Sequence, residues 1–155
     1  MSVYQSDTFT DTDGTLLSAH GGWTLDGGST GDLKIVSNVV TANGINTAGV
    51  YTANTAPGGN SHLVKGDLMA TDASSKSQLY GQCTGMGANW YRLYGSVFLD
   101  WVLEKSVSGT VTSIGSYSGP MNVNQFYAIQ MELRGGVSQK VTIDGTLRIS
   151  TTDTA

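Results

Sequence analysis

The chain has 155 residues, of which only 13 % are charged, and its eight basic residues leave a net charge of −4. This balance argues against an electrostatic nucleic-acid interface, which requires a basic face, and against docking on anionic lipid. No apolar run in the sequence approaches the roughly 20 residues that a membrane-spanning helix requires. We therefore expect neither nucleic acid nor a membrane as a partner.

The length suits one domain, and we predict a single domain over residues 1–155. Cys83 is the only cysteine, which excludes an intrachain disulfide and a cysteine-based metal cluster. The first residues, MSVYQSDTFT, show neither the basic nor the apolar region of a secretory signal. We expect synthesis in a cytoplasm, with a secreted or cell-surface protein as the alternative.

In the first half of the chain, turn signals recur about every eight to twelve residues, which is typical of an all-β protein. The stretch DTFTDTDGTLLSAHGGW predicts a first strand, a turn at Asp13-Gly14 and a core position for Trp23. Ser37-Asn38 predicts a two-residue hairpin turn. The strands predicted in this half are 33–36, 39–42, 48–53, 62–71 and 78–84.

The second half contains the most regular strand, FYAIQMELR, in which every second residue from Tyr127 to Leu133 is apolar. Asp144-Gly145 is the strongest hairpin signal in the chain. The other strands predicted here are 90–95, 98–105, 110–114 and the two arms of 141–149. Short strands without crossover helices predict an all-β fold, a two-sheet antiparallel β-sandwich with no significant helix.

Several short motifs follow one another along nearly the whole chain. The first runs from D-x-F through DGT-L to a tryptophan, at Asp7, Phe9, Asp13 to Leu16, and Trp23. The later motifs are IVSNVVTA, WYRLYG, WVLEK, TVTSI and the closing YAIQMELRGGVSQKVTIDGTLRIS. This order resembles the concanavalin A-like lectin/glucanase superfamily in its laminin-G-like jelly-roll form. Each motif has low specificity, and the resemblance implies a fold more than an activity.

The C-terminal segment departs from the superfamily pattern. Its members usually continue past the position of STTDTA with a Gly-rich turn and a strand that returns beside the N-terminal one, whereas this sequence stops at Ala155. An uncovered edge strand pairs readily with another chain. We therefore hypothesise that the N- and C-terminal ends take part in subunit contacts.

The aspartates near the N-terminus raise the possibility of calcium. Placing Asp11 and Asp13 at the third and fifth positions of an EF-hand loop puts Phe9 first and His20 twelfth, where acidic ligands are required. A looser calcium site at Asp11 and Asp13, of the kind that some laminin-G-like domains have, stays open as the alternative to a plain turn. No other cofactor is expected.

Catalytic patterns find little support in the sequence. Glycoside hydrolysis requires a close pair of carboxyl groups, whereas Asp100 and Glu104 lie about 13 Å apart along an extended strand. The histidines, His20 and His62, accompany no G-x-S-x-G elbow. Cys83 falls on an apolar face, where an inert thiol is expected. We predict that the chain is not an enzyme.

The aromatic segment that begins at Trp90 is the best candidate for ligand binding. Alternation places Trp90, Arg92 and Tyr94 on one face of a strand, and Tyr91 and Leu93 on the other. Aromatic faces stack on sugar rings, and polar neighbours bond to their hydroxyls. The glycan-binding hypothesis therefore rests on Trp90, Arg92 and Tyr94, with core packing as the alternative for most of the aromatic residues.

Two functions follow from these observations. The first is a non-enzymatic structural module of a phage virion, such as a capsid decoration or tail-associated protein, located in the virion and bound to other virion proteins or to copies of itself. A small chain with little charge and no catalytic set motivates this prediction. The alternative is a lectin-like carbohydrate-binding domain, which includes attachment to glycans of a host surface.

Overall fold

The computed structural model of the chain describes residues 6–27, 33–42, 50–53, 61–82, 89–135 and 137–153. In these residues β-strands predominate, and the helical content is a 3₁₀ turn at Leu17–Ala19. The strands are β1 (Trp23–Gly27), β2 (Leu33–Val36), β3 (Val39–Ala42), β4 (Val50–Ala53), β5 (Ser61–Met69), β6 (Lys76–Gly81), β7 (Trp90–Ser96), β8 (Trp101–Val107), β9 (Thr110–Tyr117), β10 (Phe126–Arg134), β11 (Ser138–Ile143) and β12 (Thr146–Thr151). Within the described part of the chain, no helix has the length and apolarity that crossing a membrane requires.

The chain forms two compact units, Met1–Gly58 and Gly59–Ala155. In the first unit, β1 pairs with β4 and β2 pairs with β3, both antiparallel. The DG turn attaches to the β2–β3 hairpin, because the amide of Gly14 donates to Ile35 O at 2.8 Å and the amide of Ile35 donates to Thr15 O at 2.8 Å. Ile35 and Leu17 are the buried apolar side chains described in this unit.

The second unit is a β-sandwich of two four-stranded antiparallel sheets. One sheet has the order β12-β11-β10-β5, and the other has the order β6-β7-β8-β9. The inner faces share one core, to which β7 and β8 contribute Leu93, Trp101 and Leu103. The apolar residues predicted on one face of β10 lie in this core with Val141, Ile143 and Ile149 of β11 and β12. The predicted fold class, an all-β antiparallel sandwich, is confirmed.

Both predicted two-residue hairpins are present. Ser37 and Asn38 have φ values of 51° and 62°, and Asp144 and Gly145 have φ values of 49° and 75°. Two consecutive positive φ values give the type I′ turn whose twist matches that of the flanking strands. The Asp144 carboxylate also accepts a 2.9 Å hydrogen bond from the amide of Ala128, which attaches this turn to β10.

A close approach between neighbouring strands of one sheet requires glycine in β7. A Cβ atom at Gly95 would lie 2.7 Å from the ring of Trp101, which is 1 % exposed. A Cβ atom almost never lies within 3.0 Å of a non-bonded heavy atom. Because Gly95 has no side chain, the indole of Trp101 can occupy this space. The position of Trp101 in the core therefore depends on the glycine of the neighbouring strand.

The structure corrects two local expectations. The strand predicted over 98–105 begins only at Trp101, because Ser96 Oγ accepts hydrogen bonds from the amides of Phe98 and Leu99 and bends the chain there. Residues 6–10 form no strand, since Phe9 has a φ of 50° and its amide donates to the Asp7 carboxylate at 2.8 Å.

Three sequence predictions remain predictions at this stage. The single domain over 1–155 is one of them. The terminal subunit contact is another, although β12 does lie at the edge of its sheet in the described part of the chain. The expectation for Cys83 falls outside the described residues, as do the predictions for residues 43–49 and 54–60.

Candidate functional site

The outer face of the β6-β7-β8-β9 sheet carries the three residues that the sequence proposed for glycan binding. Leu93 points into the sandwich core with an exposure of 0 %, so Trp90, Arg92 and Tyr94 stand on the opposite face of β7. The pairing of β7 with its two neighbouring strands places Tyr80 of β6 and Glu104 of β8 on either side of Arg92. The three predicted residues are therefore brought together on one face.

Arg92 is surrounded by aromatic rings. Its guanidinium carbon lies 5.0 Å from the ring centre of Trp90, 5.4 Å from that of Tyr94 and 5.8 Å from that of Tyr80. Cation–π contacts contribute about 0.5–1 kcal/mol at exposed positions and about 2 kcal/mol when water is excluded. The side chain of Arg92 is 24 % exposed, so these contacts hold its planar group in a defined orientation.

The hydrogen bonds of Arg92 complete this arrangement. Nε and Nη2 both donate to Glu104 Oε2, and Nη1 donates to Gln78 Oε1 at 3.3 Å and to the Tyr80 hydroxyl at 3.2 Å. Burial opposes the charge, but the bonds to Glu104 and Tyr80 outweigh it and raise the pKa of Arg92 above its usual value. The guanidinium is thus a fixed cation whose charge Glu104 balances.

A shallow depression opens beside this cluster. Its volume is about 250 Å³, and its lining is largely polar, formed by Lys76, Gln78, Arg92, Tyr94 and Glu104. Lys76 Nζ lies 5.7 Å from the ring centre of Tyr94, which places a second cation at the β6 side. Arginine, glutamine, carboxylate and hydroxyl groups around one aromatic ring are the donors and acceptors that a polyhydroxylated ligand requires.

Trp90 has a different environment from that of its two partners. It is only 6 % exposed and packs edge-on against Tyr80, with ring centres 5.5 Å apart. A second depression of about 270 Å³ lies at this end of β7 and is lined by Gln82, Asn89, Trp90, Tyr91, Lys105, Ser106 and Val107. The main contact of Trp90 on this face is therefore with the guanidinium of Arg92. Tyr94 is more exposed than Trp90.

The other aromatic and acidic residues of this region differ in burial and in hydrogen-bond partners. Trp101 is a core residue at 1 % exposure, whereas Phe98 is 76 % exposed in the bend before β8. Asp100 accepts hydrogen bonds from Ser118 Oγ at 3.2 Å and from the amide of Gly119 at 3.3 Å, and Glu104 binds Arg92. The two carboxylates therefore serve different local partners.

Sequence reasoning did not propose Lys76, Gln78 or Glu104 for the site. Lys76 and Gln78 lie on β6 and Glu104 on β8, and each reaches the depression because of the strand register. Alternation within β6 and β8 indicates which residues face outward, but the sequence contains no signal for their alignment with Arg92. This alignment is determined by the pairing of β6 and β8 with β7.

In the first unit, the aspartates of the opening stretch bind protein groups. His20 Nε2 lies 2.7 Å from Asp7 Oδ2, and His20 Nδ1 lies 2.5 Å from Asp11 Oδ2. Asp7 Oδ2 also accepts a 2.6 Å hydrogen bond from the indole of Trp23, whose ring centre lies 5.7 Å from that of Phe9. An imidazole with a carboxylate on each nitrogen is best satisfied as the imidazolium.

The pKa values of this cluster follow from its hydrogen bonds. The bonds to Asp11 and Asp7 raise the pKa of His20 above its ordinary value. For Asp7, burial acts in the opposite direction, but hydrogen bonds from the Phe9 amide, the Trp23 indole and His20 bring its pKa below the ordinary value. Both shifts favour the charged forms of His20 and Asp7.

The two aspartates proposed for calcium lie in different surroundings. Asp11 binds His20, and Asp13 Oδ1 accepts a 2.7 Å hydrogen bond from the amide of Ser37. Among the described residues, no group of three or more His, Cys, Asp or Glu side chains is arranged to hold a metal ion. The calcium site at Asp11 and Asp13 stays a prediction, with both carboxylates already engaged in hydrogen bonds.

Comparison with known proteins yields a structural relative. A solved structure of a carbohydrate-binding module, CBM66 from Bacillus subtilis, is similar to this chain with a TM-score of 0.71 and 18 % sequence identity. The match covers 86 % of this chain and 81 % of the other. No protein-family model matches the chain, and no curated protein matches it. At this level of identity, the likeness establishes the sandwich fold.

Proposed function

We propose that the protein is a non-catalytic carbohydrate-binding module whose site is the outer face of the β6-β7-β8-β9 sheet. The observation that carries the proposal is the polar depression that Gln78, Arg92 and Glu104 line together with the ring of Tyr94. The likeness of the fold to a carbohydrate-binding module supports the same function. Of the two functions considered from the sequence, the glycan-binding one has this support.

The binding mechanism follows from the fixed geometry of the face. Tyr94 presents an aromatic surface against which the apolar side of a sugar ring packs. Gln78 contributes its amide donors, Glu104 contributes Oε1 as an acceptor, and Arg92 holds Glu104 in place through Oε2. Because Arg92 is braced by three rings, these groups lose little freedom when a ligand binds.

The test is a glycan array with the whole chain, followed by calorimetric titration of each saccharide that gives a signal. We expect saturable binding that Tyr94→Ala weakens at least about tenfold, which corresponds to about 1.4 kcal/mol. Phe126→Ala is the matched control, since Phe126 is an aromatic residue of the other sheet and is 50 % exposed.

The outcomes separate clearly. Loss of binding in Tyr94→Ala with retention in Phe126→Ala supports the site. Equal loss in both variants, or no saturable binding to any saccharide of the array, overturns it. Trp90→Ala is a poor first test because Trp90 is 6 % exposed and its removal disturbs packing as well as binding.

A structural role in a phage virion is the second candidate. It is supported by exposed apolar side chains at the bend before β8, where Phe98 is 76 % exposed and Leu99 is 44 % exposed. Adjacent exposed apolar groups favour protein–protein contact. Light scattering at increasing concentration tests self-association: the candidate requires association that Phe98→Ser reduces, and a strictly monomeric native protein contradicts contact between copies. Virion proteins as partners and location in a virion remain predictions.

A further inference from the structure

We infer that the saccharide recognised at the Tyr94 depression carries an anionic group, either a carboxylate or a sulfate ester, which binds Lys76. This inference rests on the carbohydrate-binding function proposed above. It concerns the class of ligand, and it follows from the distribution of charge around the depression.

Lys76 is the cation of the depression that forms no ion pair with a carboxylate of the described residues. Arg92 forms an ion pair with Glu104, whereas the ion pairs found among the described residues do not include Lys76. The ammonium group of Lys76 contacts the Tyr94 ring, and a cation–π contact orients an ammonium group without neutralising it. The depression therefore contains two cations and one carboxylate, and the surplus positive charge lies at Lys76.

The position of Glu104 favours an anion on one side of the depression. Lys76 is opposite Ser96 on β7, and Glu104 is opposite Arg92 on the other side of that strand. Residues 92 and 96 are about 13 Å apart along an extended strand, and Lys76 and Glu104 are separated by two strand spacings as well. The backbone thus places Lys76 and Glu104 on opposite sides of the depression, and we expect the anion at Lys76 and neutral hydroxyls at Gln78 and Glu104.

Because the net charge of the chain is negative, only a local positive charge can attract an anionic ligand. The sequence carries −4, so a negatively charged ligand is repelled by the molecule as a whole. Attraction must then be short-ranged and come from a specific cation close to the ligand. Lys76 meets this condition, because it lines the same depression as Tyr94 and Gln78.

The experiment compares three oligosaccharides of one backbone: a neutral form, a form whose terminal sugar is a uronic acid, and a form with one sulfate ester. We expect at least one acidic form to bind the native chain about tenfold more tightly than the neutral form. Higher salt should reduce that preference, because an ion pair near the surface is screened. Comparison of the uronate and the sulfate identifies which anionic group is preferred.

Lys76→Gln should remove the preference, so that the ratio of the affinities for the acidic and the neutral form falls to about one. Lys65→Gln is the matched control, since Lys65 is an exposed lysine of β5 in the other sheet. Equal or tighter binding of the neutral form, or an unchanged preference in Lys76→Gln, overturns the inference while carbohydrate binding stands. Absence of binding to all three forms, together with a silent glycan array, overturns the proposed function itself.

Discussion

The hydroxyl of Tyr91 donates a 2.8 Å hydrogen bond to Asp153 Oδ2, joining two residues that are 62 positions apart. Lys105 forms an ion pair with the other oxygen of the same carboxylate. Asp153 is 5 % exposed and follows the end of β12, whereas Tyr91 and Lys105 belong to β7 and β8 of the other sheet. One carboxylate thus connects the two sheets of the sandwich.

We expect Asp153→Asn to destabilise the second unit by about 1–3 kcal/mol, because Lys105 then keeps its charge in a mostly buried position without a carboxylate. Urea unfolding measures this difference. Tyr91→Phe removes only one neutral donor and should cost about 1 kcal/mol. A free energy of unfolding for Asp153→Asn equal to that of the native chain would show that the ion pair contributes nothing.

The same contact predicts a loss of stability at alkaline pH. Burial, with the hydrogen bond to Asp153, raises the pKa of Tyr91 to about 12 from an ordinary value of about 10. The folded state therefore keeps a proton that the unfolded state releases between these values, so the stability that this group contributes falls as pH rises from about 10 to 12. The measurement is unfolding at pH 9 and pH 11, and Tyr91→Phe should lose less stability than the native chain over this interval.

The His20 network predicts pH dependence in the first unit. The pKa of His20 is raised, so its contribution is complete below the unfolded value of about 6.5 and disappears as pH rises through the folded value. The pKa of Asp7 is lowered, so its contribution is present above the unfolded value of about 3.9 and disappears in acid. The NMR signal of the Trp23 indole proton, which binds Asp7, should follow both titrations.

His20→Asn provides the control for this titration. The variant removes the imidazole, so the step above pH 6.5 should vanish from the Trp23 signal while the acid step of Asp7 remains. If the alkaline step persists in His20→Asn, another group produces it and the network is not the source.

Arg92→Lys should destabilise the second unit by about 1–2 kcal/mol, although it keeps the charge. Lysine cannot donate from a planar group to Glu104, Gln78 and Tyr80 together, nor stack between rings in the same way. Thermal unfolding measures the effect. Arg134→Lys is the matched control, because that arginine is 58 % exposed and pairs with Glu132 of its own strand. Equal effects in the two variants would contradict a special role for the stacked guanidinium.

Gly95→Ala should destabilise the second unit by about 1–3 kcal/mol, because the new methyl group meets the ring of Trp101 at 2.7 Å in a closely packed core. Near-ultraviolet circular dichroism should report the displaced indole. Gly21→Ala is the comparison, since apart from its chain neighbours no atom of the described residues lies within 4 Å of the added Cβ there. A native-like stability of Gly95→Ala would indicate that the core yields at little cost.

Much of the local structure is predictable because its causes are local. Ser37-Asn38 and Asp144-Gly145 form their turns since these residue types tolerate positive φ, and alternation assigned the buried face of β10. The expected strand in residues 6–10 failed for a local reason too, namely the hydrogen bond from the Phe9 amide to Asp7. A side-chain acceptor competed with strand pairing there, and the pattern of apolar residues does not reveal such competition.

The sequence by itself determined the all-β class, the two tight hairpins and the shared face of Trp90, Arg92 and Tyr94, because periodicity and turn chemistry act within a few residues. Only the tertiary structure decided that Lys76, Gln78 and Glu104 meet this face and that Tyr91 binds Asp153. It also decided that Trp90 is buried and that Tyr94 is more exposed. These relationships depend on strand register and sheet packing, which join residues distant in the chain and are set by the core as a whole.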